Sequence, residues 1–528
     1  MERAAAQPQP QPQPQRPSLA TAADILSQAG LLREIIAGDV WTLDPSDIDG
    51  SDVPFSDLTY DSRTVTTGSL LCCKGRFRPE YLVDAERRGA AAYVSQEDLS
   101  GSVHIPGLVV NDVRQALGLL ADAWFGYPEK HLTLIGITGT KGKTTTAWFL
   151  HSILDSVSGG RCALLSSIAN IVDGSTWEES NLTTPESLDT MRMMRRAVDA
   201  GMRYMVMEVS SQAYKVHRVD ALTFDVGAFL NISPDHISPI EHPTFEDYLY
   251  CKRRIVDHSR SLVLGADTAH AALLRQDAAH ADIPVTTFAL HDGRKDTDAD
   301  VAAEPLDPTH LSYRIVTHDG DSHDCRLELD GDFNYANAAA AVAIANAAGA
   351  VVDGKSIRSM ERVRVPGRME RFVDERSQTI GIVDYAHNGV STTALLDFVD
   401  ERYGSRHPHI TLITGSAGNK AFDRRREIVA AAENRIDRFI FTEDDTDTEP
   451  TEDICRQMDE SITVPTVAHD IILDRVAAIE KAISDARSHP DRVDVILAIG
   501  KGSERWIKRL NEHTPYEGDD VLFSRLLG

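Results

Sequence analysis

The chain contains little cysteine, only six residues in 528, and no Cys-x-x-Cys pair. So sparse a set excludes a disulfide framework and offers no zinc-binding pattern, and buried reduced thiols are the expected state. Long apolar runs are also missing, because the longest are strand-sized and fall short of the roughly 20 residues that span a bilayer. The sequence therefore predicts no membrane-spanning segment. The absence of an apolar signal-peptide core after Met1 favours a cytoplasmic location.

Basic residues are scarce relative to acidic ones, with 54 Lys and Arg against 81 Asp and Glu and a net charge of −27. This balance argues against nucleic acid or an anionic membrane as a partner. An anionic ligand must then be held by local backbone donors, basic side chains or metal. Hydrophobic residues at 42% and charged residues at 26% are ordinary for globular proteins, so most of the chain can form a packed core.

The length of the chain predicts about three or four folding units. A Gln-Pro repeat lies within residues 1–17, which cannot bury apolar area and are expected to form a disordered tail. We place domains at 18–128, 129–363 and 364–528, with a helix starting after Ser18. The predicted fold class is α/β, with a central P-loop ATPase-like parallel sheet and a C-terminal, Rossmann-like doubly wound domain.

A glycine-rich turn separates an apolar strand pattern at 131–138 from a helical pattern that starts near Thr146. It reads Gly139-Thr140-Lys141-Gly142-Lys143-Thr144-Thr145. The N–H groups of such a loop can hold polyphosphate, with Lys143 along the β- and γ-phosphates and Thr144 on Mg²⁺. The usual P-loop pattern begins with glycine where this chain has Ile137, and Gly139 supplies the turn instead. We interpret the segment as a nucleotide site, the alternative being a chance turn.

Two further strand ends carry groups that suit Mg²⁺. Glu208 ends an apolar strand, and the segment from Asn231 to His236 follows another. Both could meet the glycine loop at the carboxyl edge of a parallel sheet. Magnesium needs several ligands, and His236 could supply one. The alternatives are a solvated carboxylate at Glu208 and an ordinary hydrogen-bonded histidine at His236.

Seven short motifs follow one another along the chain. They are the glycine loop, Thr183-Thr184-Pro185, Met207 to Ser211, Asn231 to His236, Gly331 to Asn337, Val365 to Glu370 and Asp384 to His387. Together they resemble the Mur ligases, from about Tyr60 to the C-terminal region. Within that family the chain is most similar to enzymes that add lysine as the third amino acid of the peptidoglycan peptide. The segments that suggest the lysine-adding variety are Cys73 to Tyr81 and Ser210 to Val219.

The resemblance implies a ligase of peptidoglycan precursor synthesis, and hence a role in cell-wall formation, cell shape and division. Such enzymes use ATP to join an amino acid to the D-glutamate γ-carboxylate of UDP-N-acetylmuramoyl-L-alanyl-D-glutamate, through an acyl phosphate. Carried onto this sequence, the resemblance implies that the 18–128 domain binds UDP near Ser62. It implies that the muramoyl-dipeptide is held by Thr183, Thr184, Ser210 and Arg218. ATP would be contacted by the glycine loop and by Asn334, Asn337, Arg368 and Asp384.

The same resemblance implies a catalytic set of Lys143, Glu208, His236 and Lys252. The Mg²⁺ ligands would be Thr144, Glu208, His236 and Lys252. Lys252 aligns with a family lysine that carries a CO₂-derived carbamate, which changes the local charge from +1 to −1 and provides oxygen ligands for magnesium. The alternative is an ordinary exposed lysine in a basic helix.

The added amino acid is predicted from the acidic segment 443–449. Diaminopimelate-adding relatives carry Asp-Asn-Pro-Arg there, whereas this chain has Asp444-Asp445-Thr446-Asp447, so an acid replaces an arginine. An ammonium would find partners in this segment and a second carboxylate would not. We predict L-lysine, with L-ornithine as the close competitor because one methylene discriminates weakly. The alternative is a solvated acidic loop.

Three more residues complete the predicted site. Glu504 matches the family position near the incoming amino group. Arg424 and Arg425 could bind the carboxylate of the amino acid, or could form an exposed basic start of a helix. Rival interpretations of the whole chain are a diaminopimelate-adding enzyme, a folylpolyglutamate synthetase-like ligase and a noncatalytic P-loop regulator. We expect a monomer.

Overall fold

The computed structural model describes residues 16–235, 237–238, 241–291, 299–307, 310–317, 320–329, 331–420 and 422–528. Within these residues the strands form three large sheets and one two-stranded ribbon. Strands alternate with helices throughout, which confirms the predicted α/β class. No described helix combines the length and the hydrophobicity that a membrane span requires.

The N-terminal region forms a six-stranded sheet among the described residues. Its strands are β1 (Leu32–Ala37), β2 (Val40–Thr42), β3 (Asp57–Thr59), β4 (Ser69–Cys72), β5 (Ala92–Ser95) and β6 (Gly107–Val110). Its helices are α1 (Leu19–Gln28), α2 (Pro79–Arg87) and α3 (Val113–Trp124). The strand order is β2-β1-β6-β5-β4-β3. Helix α1 starts where the Ser18 hydroxyl accepts a hydrogen bond from the Thr21 amide at 3.3 Å, which confirms the predicted helix start.

The central region forms an eleven-stranded sheet in the part of the chain that the structure describes. Its strands are β7 (Thr133–Thr138), β8 (Cys162–Leu165), β9 (Ala169–Ile171), β10 (Glu178–Glu179), β11 (Tyr204–Glu208), β12 (Val226–Phe229), β13 (Leu262–Gly265), β14 (Val285–Leu290), β15 (Val301–Pro305), β16 (Tyr313–Thr317) and β17 (Ser322–Cys325). The strand order is β10-β9-β8-β11-β7-β12-β13-β14-β15-β16-β17. The strands from β8 to β15 in this order run parallel, and the two ends of the sheet are antiparallel.

The central helices cover this sheet. They are α4 (Lys143–Ser158), α5 (Ser187–Asp199), α6 (Ser211–Lys215), α7 (Phe245–Arg253), α8 (Ala271–His280), α9 (Asp332–Ala347) and α10 (Gly354–Ser359). In α9 the four alanines Ala338–Ala341 are fully buried. Small side chains at these positions let α9 pack closely against α4 and β14. The helix that follows the glycine loop is thereby fixed on the sheet.

The C-terminal region forms a six-stranded sheet and the ribbon within the described residues. Its strands are β18 (Glu370–Asp374), β19 (Thr379–Asp384), β20 (His409–Thr414), β21 (Arg438–Phe441), β22 (Ala468–Ile471), β23 (Asp494–Ile499), β24 (Trp506–Arg509) and β25 (Glu512–Pro515). Its helices are α11 (Gly389–Tyr403), α12 (Phe422–Ala432), α13 (Thr451–Asp459), α14 (Arg475–Arg487) and α15 (Asp519–Leu527). The order β18-β19-β23-β20-β21-β22 is parallel except for β18, as the doubly wound prediction requires.

The central and C-terminal regions share one apolar core. It includes Phe149 of α4, Tyr335 of α9 and Ile380 of β19, all at most 4% exposed. The two parallel sheets are therefore packed into a common body, and the loops at the carboxyl ends of their strands can face one another.

Candidate active site

The glycine loop lies between β7 and α4, as the sequence predicted. Gly142 has φ +83°, and a Cβ there would lie 2.3 Å from Asn337 Oδ1, so both the backbone conformation and the space require glycine. The Lys143 ammonium donates hydrogen bonds to the carbonyl oxygens of Gly139 at 2.9 Å and Thr140 at 3.4 Å. A lysine held inside the loop at the helix N-terminus is suited to bind phosphate.

Glu208, at the end of β11, lies beside the glycine loop because β11 pairs with β7 and places it opposite Ile137. It is fully buried. Its Oε2 accepts hydrogen bonds from Thr144 Oγ1 and Ser167 Oγ, both at 3.1 Å. Its Oε1 accepts a 2.7 Å bond from the Ser167 amide. The interpretation of Glu208 as a solvated carboxylate is therefore wrong, and hard oxygen ligands are gathered beside the loop.

Ser167 is a site residue that the sequence interpretation missed. Its hydroxyl oxygen also lies 3.0 Å from Thr183 Oγ1, which joins the Thr183 segment to Glu208. The available signal was weak, since Ser167 follows the short apolar strand β8 by two residues without a recognisable motif.

The other residues predicted to hold the muramoyl-dipeptide are Thr184, Ser210 and Arg218, which lie next to Thr183 and Glu208. The buried Thr184 hydroxyl donates to the Glu208 carbonyl oxygen and accepts from the Ser210 amide, each at 3.0 Å. Ser210 caps α6, and Arg218 pairs with Glu186 at 2.9 Å. Of the four, Thr183 alone lines the cavity described below. Thr184, Ser210 and Arg218 support its position.

Lys252, on α7, is 1% exposed, so its interpretation as an ordinary exposed lysine is wrong. Its ammonium donates to the Gly139 carbonyl oxygen at 2.8 Å and lies 3.5 Å from Thr138 Oγ1. Burial, and next the nearby Lys143 charge, lower the pKa of Lys252 well below its usual range. The predicted ligand His236 lies outside the described residues.

Asn334 and Asn337 occupy the first turns of α9, beside the glycine loop. Asn337 Oδ1 accepts a hydrogen bond from Thr146 Oγ1 at 3.3 Å, and Asn337 Nδ2 donates to Asn334 Oδ1 at 3.3 Å. Both side chains are buried. The structure thus brings these two asparagines to the glycine loop, although they do not line the cavity.

The loop after β12 joins the central region to the C-terminal one through Asp235. Its carboxylate is 3% exposed and pairs with Arg424 at 2.6 Å and with Lys141 at 3.3 Å. Asn388 Nδ2 donates to it at 3.3 Å. Arg424 lines the cavity but is committed to this carboxylate.

Arg368 and Asp384 lie at the facing edge of the C-terminal sheet. Asp384, at the end of β19, accepts hydrogen bonds from the amides of Met369 at 2.9 Å and Ala386 at 2.8 Å, which positions the Arg368 loop. Desolvation raises the pKa of Asp384, and the Arg368 charge opposes that rise. The Arg368 guanidinium lies over the Tyr385 ring, 4.8 Å from its centre. Arg368 lines the cavity and Asp384 lies behind it.

Three predicted acids, Asp444, Asp445 and Glu504, form what we call the acidic recess. They follow β21 and β23, whose carboxyl ends lie at the same sheet edge. The fully buried Lys501 donates to Asp445 Oδ1 at 2.8 Å and also to Glu504. Within the described residues no side chain donates a hydrogen bond to Asp444, and desolvation raises the pKa of this carboxyl. Lys501 was missed because its partner Asp445 is 56 positions away along the chain.

The structure does not bring Asp447 or Arg425 to the cavity. Asp447 has φ +54°, and its carboxylate accepts hydrogen bonds from Lys508 Nζ and from the Asn511 amide, both at 3.0 Å. Arg425 is 2% exposed and pairs with Glu449 at 2.7 Å. Both predicted substrate contacts are satisfied within the protein. Ser62 lies in the N-terminal region, outside the residues that line the cavity.

One cavity of about 850 Å³ is lined by the glycine loop, Thr183, Glu208, Arg368 and the acidic recess. Loops that follow β7, β8 and β12 line one side, and loops that follow β19, β20, β21 and β23 line the other. Its size suits several small ligands bound together. Lys420 also lines it and forms no ion pair with any described residue, in contrast to Arg424 and Arg425.

Comparison with known proteins agrees with this arrangement. Residues 137–345 match the Mur ligase middle domain, and residues 367–502 match the Mur ligase glutamate ligase domain. The chain is 59% identical over 513 residues to a UDP-N-acetylmuramyl-tripeptide synthetase of Bifidobacterium longum, covering 97% of this chain and 99% of that protein. The chain belongs to the Mur ligase family.

Two further relatives bear on the type of Mur ligase. An Enterococcus faecalis protein named UDP-N-acetylmuramoyl-L-alanyl-D-glutamate--L-lysine ligase is 39% identical, with coverage of 96% of this chain and 98% of that one. A solved UDP-N-acetylmuramoyl-L-alanyl-D-glutamate--2,6-diaminopimelate ligase has a TM-score of 0.61 at 25% identity and covers 91% of this Mur ligase and 96% of its own chain. The family resemblance and the fold class are thereby confirmed.

Proposed function

We propose that this Mur ligase uses ATP to add L-lysine to the D-glutamate γ-carboxylate of UDP-N-acetylmuramoyl-L-alanyl-D-glutamate in peptidoglycan precursor synthesis. L-Ornithine is the close competitor. The observation that carries the proposal is that one cavity contains the glycine loop, Thr183 and the acidic recess. The name of the 59% identical relative, a tripeptide synthetase, supports the type of ligase, and the name of the 39% identical relative supports L-lysine as the added amino acid.

The reaction begins with activation of a carboxylate, because an unactivated carboxylate is a poor acyl donor to an amine. A γ-carboxylate oxygen attacks the γ-phosphorus of ATP, a P–O bond forms, and the bond to ADP breaks. Two anions must approach each other, so cationic groups are needed around them. Lys143, inside the glycine loop, and Arg368, across the cavity, are placed to stabilise the phosphates.

Thr144 and Glu208 suit a magnesium ion, because a hydroxyl and a carboxylate are the hard oxygen ligands that it prefers, and their oxygens lie 3.1 Å apart. His236 remains a predicted third ligand. Mg²⁺ bound there would offset negative charge on the phosphoryl group during transfer. Ser167 holds Glu208 from the other side and fixes the orientation of its carboxylate.

Lys252 is proposed to carry the carbamate. A neutral amine attacks CO₂, a C–N bond forms and a proton leaves, so the lowered pKa of Lys252 favours the modification. Among the described residues no carboxylate forms an ion pair with Lys252, although the side chain is buried. A buried, unmodified ammonium in that place costs free energy that the anionic carbamate beside Lys143 would avoid.

The donor amino acid is proposed to enter from the C-terminal side. Asp444 offers an acceptor for the side-chain ammonium, because Asp445 and Glu504 are held by Lys501. Lys420, on the cavity wall after β20, offers a cation for the donor carboxylate in place of Arg424 and Arg425. The deprotonated α-amine then attacks the acyl phosphate, and the tetrahedral intermediate expels phosphate to leave the amide.

The test is the dependence of phosphate release on each substrate. Turnover should require ATP, the UDP-linked dipeptide and lysine or ornithine together, and Lys143→Met should abolish it. A folylpolyglutamate synthetase-like ligase would instead respond to a folate and glutamate. A noncatalytic regulator would bind ATP and release no phosphate with any amino acid. Either of those two results would overturn the proposal.

A further inference from the structure

A β-hairpin built by β9 and β10 forms one wall of the cavity. The pairing places Glu178 opposite Asn170 and Glu179 opposite Ala169. Residues 177–183 that follow the hairpin turn all line the cavity. Among them Trp177 has an unusual environment, because 55% of this large aromatic residue is exposed.

The Trp177 ring is held in place by a contact with a second tryptophan. It packs edge-on against Trp148, with 4.7 Å between ring centres and an angle of 65° between the planes. Trp148 is 6% exposed, lies on the helix α4 that follows the glycine loop, and has its indole N–H 3.4 Å from Ser166 Oγ. An edge-on contact between two indoles leaves much ring surface uncovered. Trp177 is therefore a positioned aromatic surface rather than a loose side chain.

The two glutamates next to Trp177 have charged groups near them from both regions that border the cavity. Trp177 directly precedes β10, whose Glu178 pairs with Arg196 of the central region. Glu179 lies near Arg505 of the facing wall, since its charge, after those of Asp520 and Glu370, contributes to the raised pKa of that guanidinium. The segment that carries Trp177 thus lies close to both the central and the C-terminal sides of the cavity.

The position along the chain indicates the occupant. Trp177 precedes Thr183 on the same wall, and Thr183 is tied to Glu208 through Ser167. Asn337, which is predicted with Asn334 to face adenine, lies against Gly142 and Thr146, and neither asparagine lines the cavity. Trp177 therefore shares one stretch of the cavity lining with Thr183, which is predicted to contact the acceptor substrate.

We propose that Trp177 is a substrate-positioning residue whose indole stacks on the N-acetylated sugar ring of the acceptor. A pyranose presents a face of C–H groups that packs on an aromatic ring, while its hydroxyl and amide groups stay hydrated. This inference rests on the proposed function, because the proposed acceptor is the substrate that carries such a ring. The stacking contact would lie on the sugar ring of the acceptor, away from the phosphate and carboxylate groups that react.

The experiment compares Trp177→Ala and Trp177→Phe with Trp41→Ala, a control on β2 that is 58% exposed and does not line the cavity. Trp177→Ala should raise KM for the UDP-linked dipeptide by roughly two- to ten-fold. Trp177→Phe should fall between it and the wild type. KM for ATP and for lysine should stay at the wild-type value in all three variants.

Two results would overturn the inference. One is an acceptor KM in Trp177→Ala equal to that of Trp41→Ala. The other is a selective rise in KM for ATP, which would mean that the indole stacks on adenine. If Trp177→Ala does not fold, the fluorescence of Trp177→Phe is measured instead. Addition of the acceptor should change the tryptophan emission of the wild type and leave the emission of Trp177→Phe unchanged. An equal change in both proteins would contradict the inference.

Calorimetric binding of the acceptor to the wild-type enzyme separates this inference from the proposed function. If the wild type does not bind the UDP-linked dipeptide, the proposed function fails. If the wild type and Trp177→Ala bind it equally well, the stacking role fails and the proposed reaction stands.

Discussion

Asp235 and Arg424 form an ion pair, with 2.6 Å between Oδ1 and Nη2, that joins the loop after β12 to helix α12 of the C-terminal region. The same carboxylate pairs with Lys141 of the glycine loop at 3.3 Å. The nucleotide loop and the C-terminal wall of the cavity are therefore linked through one nearly buried acid. An exact placement of these two walls is what an in-line phosphoryl transfer requires.

Removing Arg424 should loosen this link. Arg424→Ala leaves Asp235 with Lys141 and Asn388, so we expect kcat to fall on the order of ten- to a hundred-fold while ATP still binds. Arg426→Ala is the matched control, because Arg426 is exposed on the same helix. Steady-state kinetics of both variants measure the effect. Equal kcat values for Arg424→Ala and Arg426→Ala would contradict the role of the pair.

Lys252 should be required as a modified residue and not as a cation. Lys252→Ala should lower kcat by roughly a hundred- to a thousand-fold, and added formate or acetate should restore part of it by supplying carboxylate oxygens in the space left. Lys215→Ala, which removes a lysine from the adjacent α6, is the control and should need no rescue. With ¹³CO₂, the wild type should show a carbamate carbon resonance that Lys252→Ala lacks. Failure of every small carboxylate to restore turnover would count against the carbamate.

Asp444 should contribute more to donor recognition than Asp447. Loss of a charged hydrogen-bond partner in Asp444→Asn should raise KM for lysine by roughly ten- to a hundred-fold. Asp447→Asn should leave KM for lysine near the wild-type value, because that side chain binds Lys508 and Asn511 away from the cavity. A larger rise of KM for lysine in Asp447→Asn than in Asp444→Asn would contradict the assignment of Asp444 as the partner of the lysine side chain.

Asp122 should make stability depend on pH. It is 7% exposed, and burial, with Glu129 as a facing carboxyl group, raises its pKa far above the ordinary value of 3.8. The folded protein then keeps a proton that the unfolded chain releases, so stability falls as pH rises, by up to about 1.4 kcal/mol per pH unit.

Thermal unfolding at several pH values checks this expectation. Asp122→Asn cannot release that proton, so its melting temperature should exceed that of the wild type by a margin that grows between about pH 5 and about pH 8. Asp39→Asn, a change at an exposed acid of the same region, should show no growing margin. A constant difference between Asp122→Asn and wild type would contradict the assignment.

The parts that the sequence predicted well are local. The strand, glycine loop and helix around Lys143 follow from contiguous residues, because their periodicity and turn chemistry are set within a few positions. Glu208 could be placed near the loop because strand ends of a parallel sheet converge. By contrast, the strands β14 to β17 were not anticipated, since short segments with mixed polarity give a weak strand signal.

The parts that sequence reasoning missed depend on tertiary contacts. Lys501 meets Asp445 across 56 positions, and Trp177 reaches Trp148 only because the hairpin folds over α4. Asp447 follows the cavity-lining Asp445 by two positions, yet its carboxylate binds Lys508 and Asn511 and does not line the cavity. Contacts with residues about 60 positions away thus separate the members of this acidic run, and composition alone does not reveal them.

The most direct test of the account is the mass of the product formed from ATP and UDP-N-acetylmuramoyl-L-alanyl-D-glutamate with equimolar lysine, ornithine and diaminopimelate in competition. We predict one dominant product that is heavier than the acceptor by one lysine residue, with ADP formed in equal amount. A product that contains diaminopimelate, or ADP formation without any product of increased mass, would contradict the central claim.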